Sequence, residues 1–428
     1  MPTHSIYTEA LRRVSEEYVA RNPRSMEIAH RAARVLPGGT TRTTTFFAPF
    51  PPVLVSGDGS EIVDADGNRR VDYLNNYTSL VLGHAHPDVL SRAMAAAGRG
   101  TAFSSPTEYE VRLAEVLVER VASVDQVRFT NSGTEATMAA MRLARAFAGR
   151  PTVARFEGSY HGTHDYTATP GAGIPDPVGD LMVTLPFNDI LGCEQVIEQA
   201  GDSLAAVIVE PILGAGGVIA ADQEFLDFLR QATARAGALL IFDEIVTLRL
   251  HAGGAQATYG IRPDLTTFGK IIGGGFPIGG FGGREDVMAL LHPTRGTIPW
   301  GGTFNGNPVS AAAGIATLEV LTPPVIDELN RAGEELVERL GKVLEASGLP
   351  AGVTGAGSLF NLHATGEEIT DHRAVERADL QLTELLHLGL MNRGYFLAPR
   401  GMGCLSTAMT PAERDGFVDA LEDLLGAV

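Results

Sequence analysis

The sequence predicts an α/β protein, with a mostly parallel central sheet in a large domain and a smaller α+β domain. Three observations carry that expectation. From about residue 76 to 320, apolar strand-like runs alternate with helical patterns, the arrangement that gives parallel strands joined by crossover helices. The run Ala238-Leu239-Leu240-Ile241-Phe242 is apolar throughout, as a strand buried on both faces must be. Most of the 50 glycines fall in short clusters between such runs, where tight turns between strand and helix need them.

Taken in order, residues 5 to 35 read as one or two amphipathic helices broken at Asn22-Pro23. Residues 53 to 73 alternate as strands do around Asp66-Gly67, a hairpin signal. Asp64-Ala65-Asp66-Gly67 begins like a calcium loop, but the ligand spacing stops there and the hairpin turn is the stronger reading. Strands are expected at 126–130, 152–156, 205–210, 238–243 and 265–268, and helices at 133–148, 222–236 and 307–321. Further on, Leu329, Leu336, Leu340 and Val343 form one helical stripe. Helices near 372–390 and 411–426 follow, with strand-like stretches between them. The expected division is a helix and hairpin segment (1–75) joining the small domain, a large domain (76–320) and a C-terminal small domain (321–428).

Composition narrows the function classes. A chain of 428 residues, 44% of them hydrophobic, can bury a large core and supports two domains. Its net charge of −18, with no lysine- or arginine-rich run, argues against a nucleic-acid partner. Two cysteines, Cys193 and Cys404, supply neither a disulfide framework nor a zinc site, so a reducing cytoplasm is the expected setting. The first residues carry Glu9, Arg12, Arg13, Glu16 and Glu17 on a helical pattern rather than the apolar core of a signal peptide. No apolar stretch is long enough to span a membrane, and no membrane partner is expected.

Candidate chemistry gathers at the strand ends. Asp243 closes the apolar run, and Lys270 follows Thr266-Thr267-Phe268-Gly269 just before Gly273-Gly274-Gly275. A carboxylate and a lysine at the ends of successive strands suit pyridoxal 5'-phosphate. The lysine forms the Schiff base, and the carboxylate keeps the pyridine nitrogen protonated so that the ring accepts electrons. An ordinary solvated ion pair is the plain alternative. Asn131-Ser132-Gly133-Thr134-Glu135 follows a strand and opens a helix, which makes an anion site from free N–H groups and two hydroxyls. Ser132 and Glu135 also fit a simple capping box. In Gly158-Ser159-Tyr160-His161-Gly162, Tyr160 can stack on a flat cofactor with His161 beside it. His161 with His164, and His84 with His86, lack further ligands at metal spacing, so no metal is expected. Gly301-Gly302-Thr303-Phe304-Asn305-Gly306-Asn307-Pro308 is a polar turn before a helix and a second candidate anion site. No Walker lysine motif is present, which weakens a nucleotide-binding reading.

Together these segments resemble the class III (ω-type) aminotransferases of fold type I, over essentially the whole chain from Leu36-Pro37-Gly38-Gly39 to Pro399-Arg400-Gly401. The resemblance implies that Lys270 is the Schiff-base lysine and Asp243 the partner of the ring nitrogen. It implies that Ser132, Gly133 and Thr134 hold the phosphate, that Tyr160 stacks on the ring and that Glu210 lines the site floor. It further implies a homodimer in which Thr303 reaches the phosphate of the neighbouring subunit.

Two departures narrow the branch. Ala215 and Val246 stand where ornithine- and 4-aminobutyrate-type enzymes have a gating glutamate and a glutamine. Pro263 to Gly275 is similar instead to the branch containing glutamate-1-semialdehyde aminomutase. Arg42 and Thr45 stand where the mutases carry serine and then arginine, and Pro399-Arg400-Gly401 departs from the mutase pattern. Thr41-Arg42-Thr43, the segment Phe46 to Pro51 and Tyr77-Thr78 are similar to β-amino acid aminotransferases acting on β-phenylalanine. That similarity implies that Arg42 binds the carboxylate of the β-amino acid, that Arg400 binds the α-carboxylate of a keto acid such as 2-oxoglutarate or pyruvate, and that Tyr77 contacts substrate. Arg42 paired with a structural carboxylate is the alternative. The expected reaction is a ping-pong transamination. The rivals are the aminomutase, an ω-amine:pyruvate transaminase of broader scope, and a lyase using the same cofactor.

Overall fold

The structure, a computed structural model, describes residues 7–428. The chain forms two compact units. One combines the segment ending at His86 with Leu329–Ile369 and Arg373–Val428; the other is Pro87–Glu328 with Thr370–His372. The N-terminal segment of the first unit therefore runs past the expected boundary at 75, and the next break falls inside the helix Pro323–Ser347.

The second unit is built on a seven-stranded sheet, in the order Gln126–Thr130, Gly279–Gly283, Leu265–Gly269, Leu239–Asp243, Leu204–Val209, Thr152–Phe156, Met182–Leu185. Within it only Gly279–Gly283 is antiparallel to its neighbours. Every residue of the three central strands is buried, which is why these runs show no polar alternation. The helix Gly133–Ala148 lays Ala140, Met141 and Ala144 on the core with Val153, Ile208, Ile241 and Phe281. It opens where Ser132 Oγ accepts the Glu135 N–H at 3.2 Å and closes at Gly149, whose φ of +66° only glycine adopts freely.

The strands and helices expected in this unit occur within one residue of their expected bounds. Two strands of this sheet are additional. Met182–Leu185 is a short edge strand. Gly279-Gly280-Phe281-Gly282-Gly283 carries no β-forming pattern outside Phe281, so sequence preference cannot reveal it. Close packing explains its composition: a Cβ on Gly279 would lie 2.0 Å from Ser132 O, and one on Gly283 2.2 Å from Asp264 O.

In the first unit, Thr8–Arg21 and Pro23–Ala32 form two helices broken at Asn22-Pro23, as expected; residues 5 and 6 of the expected segment lie outside the described residues. Glu61–Asp64 and Arg69–Asp72 make the expected hairpin. Asp64 Oδ1 accepts the N–H groups of Asp66 and Asn68, and its carboxylate pairs with buried Arg70 at 2.5 Å, so this acidic turn is a structural one. Asp66 caps the second helix by accepting the N–H groups of Arg24 (2.6 Å) and Ser25 (2.9 Å). Leu329, Leu336 and Leu340 are buried as the stripe requires, but Leu344 takes its last place and Val343 is half-buried. The helix expected near 372–390 is two, His372–Glu376 and Leu380–Asn392. Among the described residues no single helix is long and apolar enough to cross a membrane.

Candidate active site

The carboxyl ends of adjacent strands set four groups in a row. Tyr160 and His161 follow Thr152–Phe156, Glu210 follows Leu204–Val209, Asp243 ends Leu239–Asp243, and Lys270 follows Leu265–Gly269. Asp243 is buried, which removes the reading of a solvated ion pair. Its Oδ1 accepts the Ile245 N–H (3.1 Å) and the Thr267 hydroxyl (2.9 Å), and Oδ2 lies 2.7 Å from His161 Nδ1. A carboxylate has about four acceptor positions, so these three contacts leave one on Oδ2. His161 is buried too, and its Nε2 has no hydrogen-bond partner among the described residues. Lys270 is half-buried with a φ of +51°, a conformation that L residues adopt only when the surroundings impose it.

Glu210 anchors the stacking loop rather than facing open solvent. Its Oε1 accepts the Tyr160 N–H at 2.7 Å and its Oε2 the Gly214 N–H at 3.0 Å, while the Tyr160 side chain stays 50% exposed. Burial, assisted by the Asp243 charge and opposed by His161, pushes the Glu210 carboxyl from 4.5 up to about 7. A raised pKa means that the native state holds the proton longer than the unfolded chain. Its stabilising contribution is then complete below pH 4.5 and is lost as pH rises through 7. Unfolding of the wild type and Glu210→Gln, compared from pH 4 to 8, should therefore show the wild type losing about 3 kcal/mol relative to the variant across that interval. A difference independent of pH would rule out the buried proton.

At the other end of the row, Ser132 Oγ caps Glu135, so the capping reading is correct as far as that hydroxyl goes. The first two N–H groups of the helix, those of Gly133 and Thr134, precede any possible intrahelical acceptor and remain for an anion. Gly133 also lets Ile245 pack closely, since a Cβ there would meet its terminal Cδ1 at 2.7 Å and push that side chain aside. Asn131 Nδ2 donates to Asn305 Oδ1 at 2.9 Å, which ties the Thr303 turn to the same loop; Thr303 itself is exposed. These residues fit pyridoxal phosphate: a buried carboxylate with one acceptor position left, a lysine on the next strand, an aromatic ring and a helix N-terminus for the phosphate. Among the described residues no cluster of three or more His, Cys, Asp or Glu is arranged for a metal.

Arg42, Tyr77 and Arg400 lie in the first unit. Arg42 Nη1 donates to Asn76 Oδ1 at 3.0 Å, and its guanidinium lies 5.7 Å from the centre of the Tyr77 ring. The Tyr77 hydroxyl donates to Thr44 O. No carboxylate pairs with Arg42 among the described residues, so the structural-pair alternative is not what the geometry contains. Arg42, Asn76 and Tyr77 line a largely apolar cavity of about 570 Å³ together with Phe46, Phe47 and Phe50. Asn75, Asn76, Tyr77 and Thr78 all have positive φ, between 48° and 74°. Such a left-handed turn costs roughly 1–2 kcal/mol per residue. Arg400 sits in a turn closed by the Gly401 N–H to Ala398 O (2.9 Å), with its backbone carbonyl held by Asn361 Nδ2. Its guanidinium forms no ion pair among the described residues.

Sequence reasoning missed Thr267, Asn76 and the His161–Asp243 bond. The last joins residues 82 positions apart, and only the sheet order brings them together.

Known proteins place the chain. The model of the family described as Aminotransferase class-III matches residues 48–394. Glutamate-1-semialdehyde 2,1-aminomutase of Methanothermobacter thermautotrophicus is 41% identical, over 95% of this chain and 99% of that protein. An ω-transaminase from Sphaerobacter thermophilus has a structure of TM-score 0.92 and 45% identity, covering 95% of this chain and 99% of its own. A β-phenylalanine aminotransferase from Variovorax paradoxus gives a TM-score of 0.94 at 37% identity, covering 98% of each chain. The chain belongs to the class III aminotransferases, enzymes of the fold type I architecture that depend on pyridoxal 5'-phosphate.

Proposed function

We propose that the protein moves the amino group of a β-amino acid, such as β-phenylalanine, to 2-oxoglutarate or pyruvate in two half-reactions. The observation that carries this reading is the neutral setting of Arg42, whose charge is met, among the described residues, by an amide oxygen and an aromatic face. Arg400 is a second guanidinium with no ion pair among the described residues. In a β-amino acid the carboxylate lies one carbon farther from the nitrogen-bearing carbon than the carboxylate of an α-keto acid lies from its carbonyl carbon. Two arginines, each binding a carboxylate with a planar fork, suit two such substrates. The resemblance of Thr41 to Pro51 to β-phenylalanine enzymes supports the same choice.

Bound pyridoxal phosphate supplies an aldehyde for the amino group and a ring that accepts electrons. The protein's part follows from its own residues. The N–H groups of Gly133 and Thr134, with the Ser132 and Thr134 side chains, hold the phosphate. Tyr160, fixed through its backbone by Glu210, covers the ring, and His161 stands beside it. Asp243, held by the Ile245 N–H, the Thr267 hydroxyl and the His161 ring, would pair with the ring nitrogen and keep a proton there. Lys270 would act as the general base that takes the proton from the substrate carbon bearing nitrogen. Arg42 holds the β-carboxylate, with Tyr77 at its side, and Arg400 holds the acceptor. We further propose a homodimer in a reducing cytoplasm, with Thr303 serving the partner's phosphate. Exposed Phe304, beside Thr303, and two buried cysteines that form no disulfide among the described residues support that setting.

Absorbance-monitored half-reactions test the reading. β-Phenylalanine should convert the cofactor to its amine form, and 2-oxoglutarate or pyruvate should restore it. Arg42→Gln should raise the KM for β-phenylalanine about 10- to 100-fold, the worth of a charge-assisted hydrogen bond, and change kcat little. The similarity to the aminomutase supports a second reading, in which nitrogen stays on one carbon skeleton. Conversion of glutamate-1-semialdehyde with no need for an added keto acid would favour it and defeat the first.

A further inference from the structure

We infer that Asn76 is the positioning residue of the Arg42 carboxylate site, and that its neutrality leaves the arginine charge available to the substrate. The inference rests on the reading of Arg42 given above. An exposed arginine on a flexible stem needs something to aim it. A carboxylate would aim it best but would also neutralise it. Asn76 Oδ1 accepts from Nη1 at 3.0 Å without adding charge, and the Tyr77 ring lies alongside.

Asn76 is itself held in place. Its Nδ2 donates to Ser79 Oγ at 3.1 Å, and its backbone (φ 48°, ψ 56°) lies in the left-handed region that asparagine tolerates. The turn is fastened from before, where Asp72 Oδ1 accepts the N–H groups of Leu74 and Asn75, both at 2.9 Å. It is closed by the Thr78 N–H on Leu74 O at 3.0 Å. Asp72 and His84, which also line the cavity, are engaged with each other at 2.7 Å. Thus the strained turn presents one neutral acceptor to one cation, and the remaining guanidinium N–H groups are left for a ligand.

The test uses the holoenzyme with Asn76→Gly and Asn76→Asp, both of which accept a positive φ. Two quantities are read: KM and kcat for β-phenylalanine, and inhibition by 3-phenylpropanoate, which has the carboxylate but no amine. Asn76→Gly should raise both KM and the inhibition constant about 3- to 10-fold, the range of one neutral hydrogen bond, with kcat little changed. Asn76→Asp keeps an acceptor yet should be worse than glycine, because it pairs with the charge. An Asp variant equal to wild type would show that any acceptor suffices and overturn the inference, as would a Gly variant with unchanged constants. Arg42→Gln is measured in parallel. If it raises KM while the Asn76 variants do not, only the role of Asn76 falls; if it too has no effect, the carboxylate reading of Arg42 falls with it.

Discussion

Replacing Lys270 with Ala is expected to lower the steady-state rate by about 10⁴-fold, the upper end of what a general base contributes to a proton transfer. Lys270 stands at the end of Leu265–Gly269, whose Thr267 is the register partner of Asp243. No neighbouring strand end in that row offers another amine: the groups beside it are Asp243, Glu210 and His161. Lys270→Arg keeps the charge but remains protonated, so it should be equally inactive. Because Lys270 has a positive φ, Lys270→Gly removes the amine without the backbone strain of alanine and separates chemistry from folding. Small primary amines added to the Gly variant should restore part of the rate in proportion to their basicity. Steady-state turnover of the unrescued variants within tenfold of wild type would remove Lys270 from the mechanism.

Asp243→Asn should cost roughly 10²–10³-fold in kcat, the scale of losing a preorganised charge beside developing charge. The three donors on Asp243 would constrain the substitute. If the amide oxygen keeps Ile245 N–H and Thr267 Oγ1, the amide NH₂ faces His161 and the ring nitrogen, where it donates instead of accepting. Charge and acceptor are lost together while side-chain volume is unchanged. Absorbance of the bound cofactor as a function of pH would show whether the ring nitrogen has lost its proton. A variant with wild-type kcat and an unchanged spectrum would contradict the assignment.

The parallel sheet was legible because its strands are buried on both faces and therefore continuously apolar, as in Leu239–Asp243. The ends of those strands were legible for the same reason: Asp243 and Lys270 interrupt apolar runs. What stayed hidden depends on proximity between distant segments. The His161–Asp243 bond needs the intervening strand Leu204–Val209, and the Arg42–Asn76 bond needs a left-handed turn that Asn75-Asn76 tolerate but Tyr77-Thr78 do not favour. Local pattern also misplaced the end of the Leu329 stripe, because the helix phase passes to Leu344.

The glycine strand Gly279–Gly283 has a consequence for how this protein can vary. Its backbone carries no chemistry, yet a single methyl group on Gly279 would strike Ser132 O, the carbonyl immediately before the helix Gly133–Ala148. The strand thus acts as a spacer of fixed thickness against that helix start, its dimension set by the absence of atoms. A saturation-mutagenesis scan should find Gly279, Gly282 and Gly283 as intolerant as Lys270, with an opposite signature: alanine is already too large, and no polar or charged replacement restores function.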